Sequence, residues 1–406
     1  MQSQGTDASQ VVVWHGPNPN TQLVALPTEL STLGNIMSAT VTVATQPTST
    51  SLLGRVQGDV ITQSVAKTEE YGIATGGSLI YLRQDDLNKY FESLQMLGVQ
   101  WVRWDVDWSV VQPKNSTEFQ WEGADRVVAT AKKYGIQSLG IITYAPGWAV
   151  DQSCTVKQHC EPANPKDFGR FASEVASRYK YTIMYFEIWN EPNYAFFWKP
   201  KPNAGNYAAL LKEAYFAIKK ANPNAVVLSG GLAATGNEKD GSISPIDFLR
   251  TLYELKASQY FDAIALHPYT YPALPSYRAW WNRWQQIVPI HQLMVTNGDS
   301  EKKIWITEFG VPTGGPGEAH SVNQLNNFRY GVDFMYENSQ RYLMTEATNF
   351  YRQHIDWMGP FFWYSLKDSS NERDTTENFF GLLRYDGSKK PAYDLFKQLV
   401  ASSTAQ

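Results

Sequence analysis

The sequence predicts an α/β chain folded as a (β/α)8 TIM barrel, preceded by a linker-like or strand-like N-terminal extension. Three observations carry this. Eight short apolar runs recur from Tyr71 onward, with amphipathic helical segments between them. Strands that alternate with helices pair in parallel through right-handed crossovers, and eight such units close into a barrel. The competing architecture, an open doubly wound sheet, usually carries a Gly-rich phosphate turn early, and none is present.

Residues 1–66 differ from the rest. They hold few charges, Asp7, Glu29, Arg55 and Asp59 among them, and many Thr, Ser, Gln and Pro. The stretches VVVWHG, TVTVAT and DVITQSVA are short candidate strands in this extension. Residues 67–406 form the expected barrel domain. Its eight runs are YGIAT (71–75), VQWVRWDV (99–106), IQSLGIIT (136–143), YTIMYFEIW (181–189), AVVLSG (225–230), FDAIALHPY (261–269), KIWITEFG (303–310) and PFFWYSL (360–366). The first helix reads from DDLNKYFESLQMLG, where Leu87, Tyr90, Phe91, Leu94 and Leu97 share one face and Gly98 is the stop. GADRVVATAKKYG, KDFGRFASEVASRYK, AGNYAALLKEAYFAIKKANP and the closing KKPAYDLFKQLVA read the same way.

Composition narrows the function. Hydrophobic residues make up 43% and charged residues 18%, enough to bury a large core. The net charge of −4, with no basic run, argues against nucleic acid as a partner. No span of 18 apolar residues exists, so no transmembrane helix is expected. The start, MQSQGTDASQ, lacks the basic and apolar regions of a signal peptide. Cys154 and Cys160 are the two cysteines, with five residues between them in a loop-like stretch. A disulfide between them fits an exported protein, extracellular or periplasmic, and the spacing does not fit CxxC redox chemistry. With only His159 between them a zinc set lacks its fourth ligand. No metal and no cofactor is expected, and a monomer is favoured. The 14 Trp and 23 Tyr exceed what a core needs and suggest flat surfaces for a ligand.

In this barrel, reactive groups stand where strands end and βα loops begin. Those ends carry Arg103 and Asp105 on the second run, Trp148 after the third and Asn190 with Glu191 after the fourth. His267 and Tyr269 end the sixth, Glu308 ends the seventh, and Trp363 lies on the eighth. Two carboxylates facing across a cleft suit glycosidic bond cleavage, in which one group protonates the leaving oxygen and the other meets the anomeric carbon.

FEIWNEPN and KIWITEFG resemble the two catalytic motifs of retaining glycoside hydrolases of clan GH-A, nearest to family 39 and to cellulase-like (family 5 type) exopolysaccharide hydrolases. The Arg of WVRWD, the LHPY segment, the FFWYSLKD segment and the ending FGLLRYDGSKKPAYDLFK extend the resemblance over roughly residues 68–400. It implies Glu191 as acid/base and Glu308 as nucleophile, on an oligo- or polysaccharide substrate. It places Asn190 at a sugar 2-hydroxyl, Arg103, His267 and Tyr269 around Glu308, and Trp148 and Trp363 as sugar platforms. Arg103 has a second reading, a pair with Glu187, which lies four residues before Glu191 and so on the same side of its strand. YRAWWNRW (277–284) is a candidate subsite wall, GVPTGGPGE (310–318) a flexible lip, and 367–380 a long polar loop closing one end of a groove. Endo action is the favoured expectation. An exo-acting glycosidase, a transglycosylase and a sugar-binding barrel without turnover share most of these features.

Overall fold

The computed structural model describes residues 31–33, 36–38, 69–155 and 159–403. The chain divides into two compact units, residues 1–63 and 64–406. In the first, Ser31–Leu33 pairs antiparallel with Ile36–Ser38. The three strand candidates read in the extension lie outside the described residues.

The second unit is a closed parallel barrel. Its strands are β1 (Tyr71–Ala74), β2 (Trp101–Asp107), β3 (Gln137–Thr143), β4 (Tyr185–Ile188), β5 (Val226–Leu228), β6 (Ala263–His267), β7 (Lys303–Phe309) and β8 (Met358–Tyr364). Each pairs with its sequence neighbours, and closure comes from β8 pairing with β1. Beyond β5, Leu232–Ala233 adds a short second contact to β6. One main helix follows each strand: α1 (Gln84–Leu97), α2 (Glu122–Tyr134), α3 (Pro165–Arg178), α4 (Ala204–Ala221), α5 (Pro245–Glu254), α6 (Ile287–Thr296), α7 (Glu337–Gln353) and α8 (Pro391–Ser403).

Local sequence explains the helix limits. α1 buries Leu87, Phe91, Leu94 and Leu97 and stops at Gly98, whose φ of 85° is left-handed. α3 starts at Asn164, whose side chain accepts from the Lys166 amide at 3.1 Å, with Pro165 in the first turn. α4 is capped by Asn203, which accepts from the amides of Gly205 and Asn206. The helical pattern does not single out α5, α6 or α7. In α6 the run IVPIHQLMVT is apolar almost throughout, so period and face are hard to read.

Strand alternation sorts side chains into two cores. Outward residues such as Val102, Trp104, Ile142, Phe186, Ile264 and Ile306 pack on the helices. Inward residues Trp101, Leu139, Leu228, Ala263, Ala265, Trp305 and Phe362 fill the barrel bottom. Trp101 meets Trp305 edge-on at 5.4 Å between ring centres. Three large rings opposite two alanines complete a solid floor, each ring worth roughly 4–6 kcal/mol of transfer free energy. A dry floor confines any chemistry to the upper end, where the strands finish. No helix among the described residues is long and apolar enough to cross a membrane.

Candidate active site

Above the floor the inward positions turn polar. Arg103 on β2 is wholly buried and is the hub. Its Nε and Nη2 donate to Glu187 Oε2 at 2.9 Å and Oε1 at 2.7 Å, a bidentate pair. Nη2 also donates to Asn190 Oδ1 at 2.9 Å, and Nη1 donates to Glu308 Oε1. The two roles read for Arg103 are therefore simultaneous: it pairs with Glu187 and orients Glu308.

Glu191 stands just past β4. The chain leaves extended geometry there, because Trp189 and Glu191 have φ of 69° and 49°. Such left-handed non-glycine residues cost roughly 1–3 kcal/mol each, and their neighbours must hold them in place. Glu191 N donates to Gly231 O at 3.0 Å, and Gly231 N donates to Glu187 Oε1 at 2.9 Å. Gly231 has to be glycine, since a Cβ there would lie 2.1 Å from His267 Nε2. Glu187 and Glu191 both face the mouth, as the four-residue spacing suggested. The turn at Trp189, however, sends that ring outward into the core and re-aims the chain.

Glu308 reaches the site through an irregularity. On β7, Ile306 pairs with Phe361 and Phe309 with Trp363, so β7 carries one extra residue there. This β-bulge suspends alternation. Thr307 faces inward, its hydroxyl 3.1 Å from His267 Nε2, and the next residue, Glu308, faces inward as well. Tyr269 Oη donates to Glu308 Oε2 at 2.8 Å.

His267 links the two glutamates. Its Nδ1 lies 2.9 Å from Glu191 Oε1 and 3.7 Å from Glu308 Oε2. Its main partner is thus Glu191, whereas the sequence reading placed it on Glu308. Burial and the Arg103 charge lower its pKa, so the ring is neutral. Burial pushes the carboxyls of both glutamates up. Glu308 is drawn back by Arg103 and Tyr269. Glu191 is drawn back by His267, and the nearby Glu308 raises it further. Glu308 thus holds two donors that favour its ionised form, Arg103 and Tyr269, whereas the side-chain partner of Glu191 is the neutral His267.

Among the described residues, Glu191, His267 and Glu308 are a group whose ligand-type atoms all lie within 4.8 Å of one another. The fold assembles this group from three distant segments. Both ring nitrogens of His267 and both oxygens of Glu308 already have partners, and Arg103 supplies the compensating positive charge. These groups balance one another as hydrogen-bonded acid and base pairs without a cation.

The platforms need correction. Trp363 is completely buried and packs outward on Phe309 and Phe396, so it cannot meet a sugar. Phe362 and Tyr364 are the inward residues of β8, and Tyr364 is the aromatic at the mouth, close to Glu308, Glu377 and Asp105. The run PFFWYSL is apolar on both faces, which hides its phase. Trp148 is half-buried, meets Trp108 edge-on and spends its indole N–H on Gln112 O at 2.8 Å. In YRAWWNRW, Trp284 is core against Phe309 and Phe350, while Trp280 is 83% exposed. Cys154 and Cys160 are disulfide-bonded, with Cα atoms 6.4 Å apart.

The lip is firmer than expected. A Cβ on Gly310 would lie 2.0 Å from Tyr364 O, so the segment leaves β7 in close contact with β8. Thr313 N donates to Phe379 O at 3.0 Å. Buried Lys390, just before α8, donates to Thr313 Oγ1, Asp368 Oδ1 and Phe379 O. That ammonium ties the loop after β7 to the loop after β8.

Fold and site together place the chain among the glycosyl hydrolases. The cellulase profile, glycosyl hydrolase family 5, matches residues 63–350, and the chain belongs to that family. No curated protein matches the chain. Among solved structures it is similar to a family 39 glycoside hydrolase from Bacteroides cellulosilyticus, at 23% identity and TM-score 0.61, over 82% of this chain and 64% of that one. It is also similar to a monomeric β-xylosidase from Caulobacter crescentus (15%, TM-score 0.61, 82% and 68%). A third likeness is to an exo-β-1,4-mannosidase from an Opitutaceae bacterium (14%, TM-score 0.56, 83% and 60%). At these identities the likeness concerns the fold. The chain spans a little under two thirds of the family 39 structure.

Proposed function

We propose that this enzyme cleaves β-glycosidic bonds inside a polysaccharide, with Glu191 as acid/base and Glu308 as nucleophile. The observation that carries the roles is the unequal pair itself. Oxygens of the two glutamates approach within 4.8 Å, which suits the ~5–5.5 Å carboxyl spacing of double displacement better than the ~6.5–9.5 Å of an inverting site. Glu308, ionised by two donors, attacks the anomeric carbon as Glu191 gives its proton to the leaving oxygen. The ester cancels the Glu308 charge, so Glu191 becomes more acidic and serves as base for water in the second step. Asn190 has its Oδ1 fixed by Arg103, which leaves its amide N–H groups for a sugar hydroxyl.

Endo action is supported by exposed aromatics spread round the mouth. Tyr81 follows β1, Phe196 follows β4, Trp280 follows β6 and Tyr330 follows β7. Tyr81 lies within the field of Asp107 and Asp105, and Tyr330 within that of Glu191. Rings on several sides suit a chain of sugars better than a single one. The disulfide supports export to an oxidising compartment.

The test is a polysaccharide screen with mass-spectrometric product sizing. Mixed-length oligomers early in digestion are expected; single sugars or disaccharides from the start would replace endo with exo action. Glu308→Gln should abolish turnover, and Glu191→Ala should regain activity with azide on aryl glycosides. Near-full activity of Glu308→Gln would overturn the assignment.

A further inference from the structure

Asp105 stands two residues beyond Arg103 on β2, so it faces inward one layer nearer the mouth. It is 8% exposed. Among the described residues it takes part in no side-chain hydrogen bond, and its closest countercharge, Arg103, is already engaged by Glu187, Asn190 and Glu308. Its neighbour Asp107 makes the contrast. That carboxylate caps the short helix Trp108–Val111, accepting from Ser109 N at 2.8 Å and Ser109 Oγ at 2.6 Å. Asp105 has no such task. Its carboxyl oxygens are not sealed in the core but open to the mouth, where a ligand hydroxyl can meet them.

The surroundings say what completes it. Asp105 shares its electrostatic neighbourhood with Glu308 and Glu187, and the rings of Tyr81, Tyr144 and Tyr364 lie around it. Gly77 opens the near side, where a Cβ would come within 3.4 Å of Asp105 Oδ2. The position is on β2, above Arg103 and within the field of Glu308, whereas Glu191 stands two strands away on β4.

We infer that Asp105 is a specificity residue of the glycone subsite: its carboxylate accepts a hydrogen bond from a hydroxyl of the sugar held against Glu308. This rests on Glu308 being the nucleophile. The glycone it selects is neutral and bears a free hydroxyl at that position. A uronic acid would bring a second anion beside Asp105, Glu187 and Glu308, with Arg103 already spoken for.

The test pairs a variant with altered substrates. The full chain and Asp105→Asn are assayed at pH ~8, where Asp105 is ionised, on the aryl β-glycoside that the wild type turns over fastest and on its monodeoxy analogues. On the parent glycoside Asp105→Asn should lose ~10- to 100-fold in kcat/KM, the range for a hydrogen bond to a charged group. One monodeoxy analogue should slow the wild type by a similar factor and slow Asp105→Asn by no more than about twofold, since the two changes remove one contact. A purely structural role would leave every deoxy effect intact in the variant. Labelling of Glu308 by a 2-deoxy-2-fluoro glycoside reports that the variant's site is folded. Parent activity within about twofold of wild type, or additive losses for every analogue, overturns the inference. If the wild type takes no label and turns over no glycoside, the reading of Glu308 fails and this inference falls with it.

Discussion

Replacing Arg103 by lysine keeps a positive charge and removes the fork. The guanidinium bonds two oxygens of Glu187, one of Asn190 and one of Glu308. An ammonium offers three donors diverging from one atom, so one contact is lost by count and the bidentate geometry at Glu187 is lost by shape. Two charge-assisted bonds at about 1.5–3 kcal/mol each amount to about 3–6 kcal/mol. The loss on breaking a buried ion pair, about 3–5 kcal/mol, brackets the same value. Arg103→Lys is therefore expected to lower the unfolding free energy by about 3–5 kcal/mol, read in guanidinium titrations by tryptophan fluorescence. Kinetics give a second readout. Arg103 is the foremost group drawing the Glu308 carboxyl down against burial. Weakening that contact raises the Glu308 pKa, so the acidic limb of kcat/KM moves to higher pH. A variant within about 1 kcal/mol of wild type, with its acidic limb unmoved, would refute the view of Arg103 as hub.

Two further outcomes are expected. Gly231→Ala drives a methyl against His267, which should cost about 1–3 kcal/mol and slow turnover by displacing the ring; a melting temperature and rate equal to wild type would show that the ring has room. Burial raises Asp105 from 3.8 to about 7, so the folded chain holds that proton more tightly than the unfolded one. Its contribution is whole below pH ~4 and is lost as pH climbs through ~7. The stability of wild type relative to Asp105→Asn should therefore fall by up to about 4 kcal/mol between pH ~4 and ~8, and a flat difference would contradict the burial argument.

Most of the barrel was legible in the chain because its strands are short, apolar and separated by regular helices. Each predicted run overlaps one observed strand, although YTIMYFEIW yields only Tyr185–Ile188. Its first half instead turns back on Tyr179, to which the amides of Thr182 and Ile183 both donate. Glu191 and Glu308 were legible through motif and position. Their supports were partly so. Tyr269 fell where expected, whereas His267 lies nearer Glu191, at 2.9 Å against 3.7 Å from Glu308. Bulges leave no trace in composition, and Thr307 and Glu308 share a face only because of one. Trp363 was misplaced by a single residue, because β8 is apolar on both sides and offers no alternation to count. The paired glycines after β5 were a usable signal that went unused, since close approach is what Gly231 provides. Asp105 was visible as a strand-end carboxylate, but its lack of partners can be known only from the folded surroundings.

Lys390 has a consequence for how such a mouth can change. One ammonium is fastened to Thr313, Asp368 and Phe379, so two loops and the entry to α8 behave as one mechanical part. A length change in either loop would pull on the other through that rivet. Loop grafts intended to reshape the cleft should therefore transplant residues 310–318, 367–380 and Lys390 as a set. On the opposite side the loops after β3 and β4 are tied as well, by Glu161 N donating to Lys199 O at 3.0 Å and Trp198 Nε1 donating to Glu161 Oε2 at 3.1 Å, so they too are best moved together.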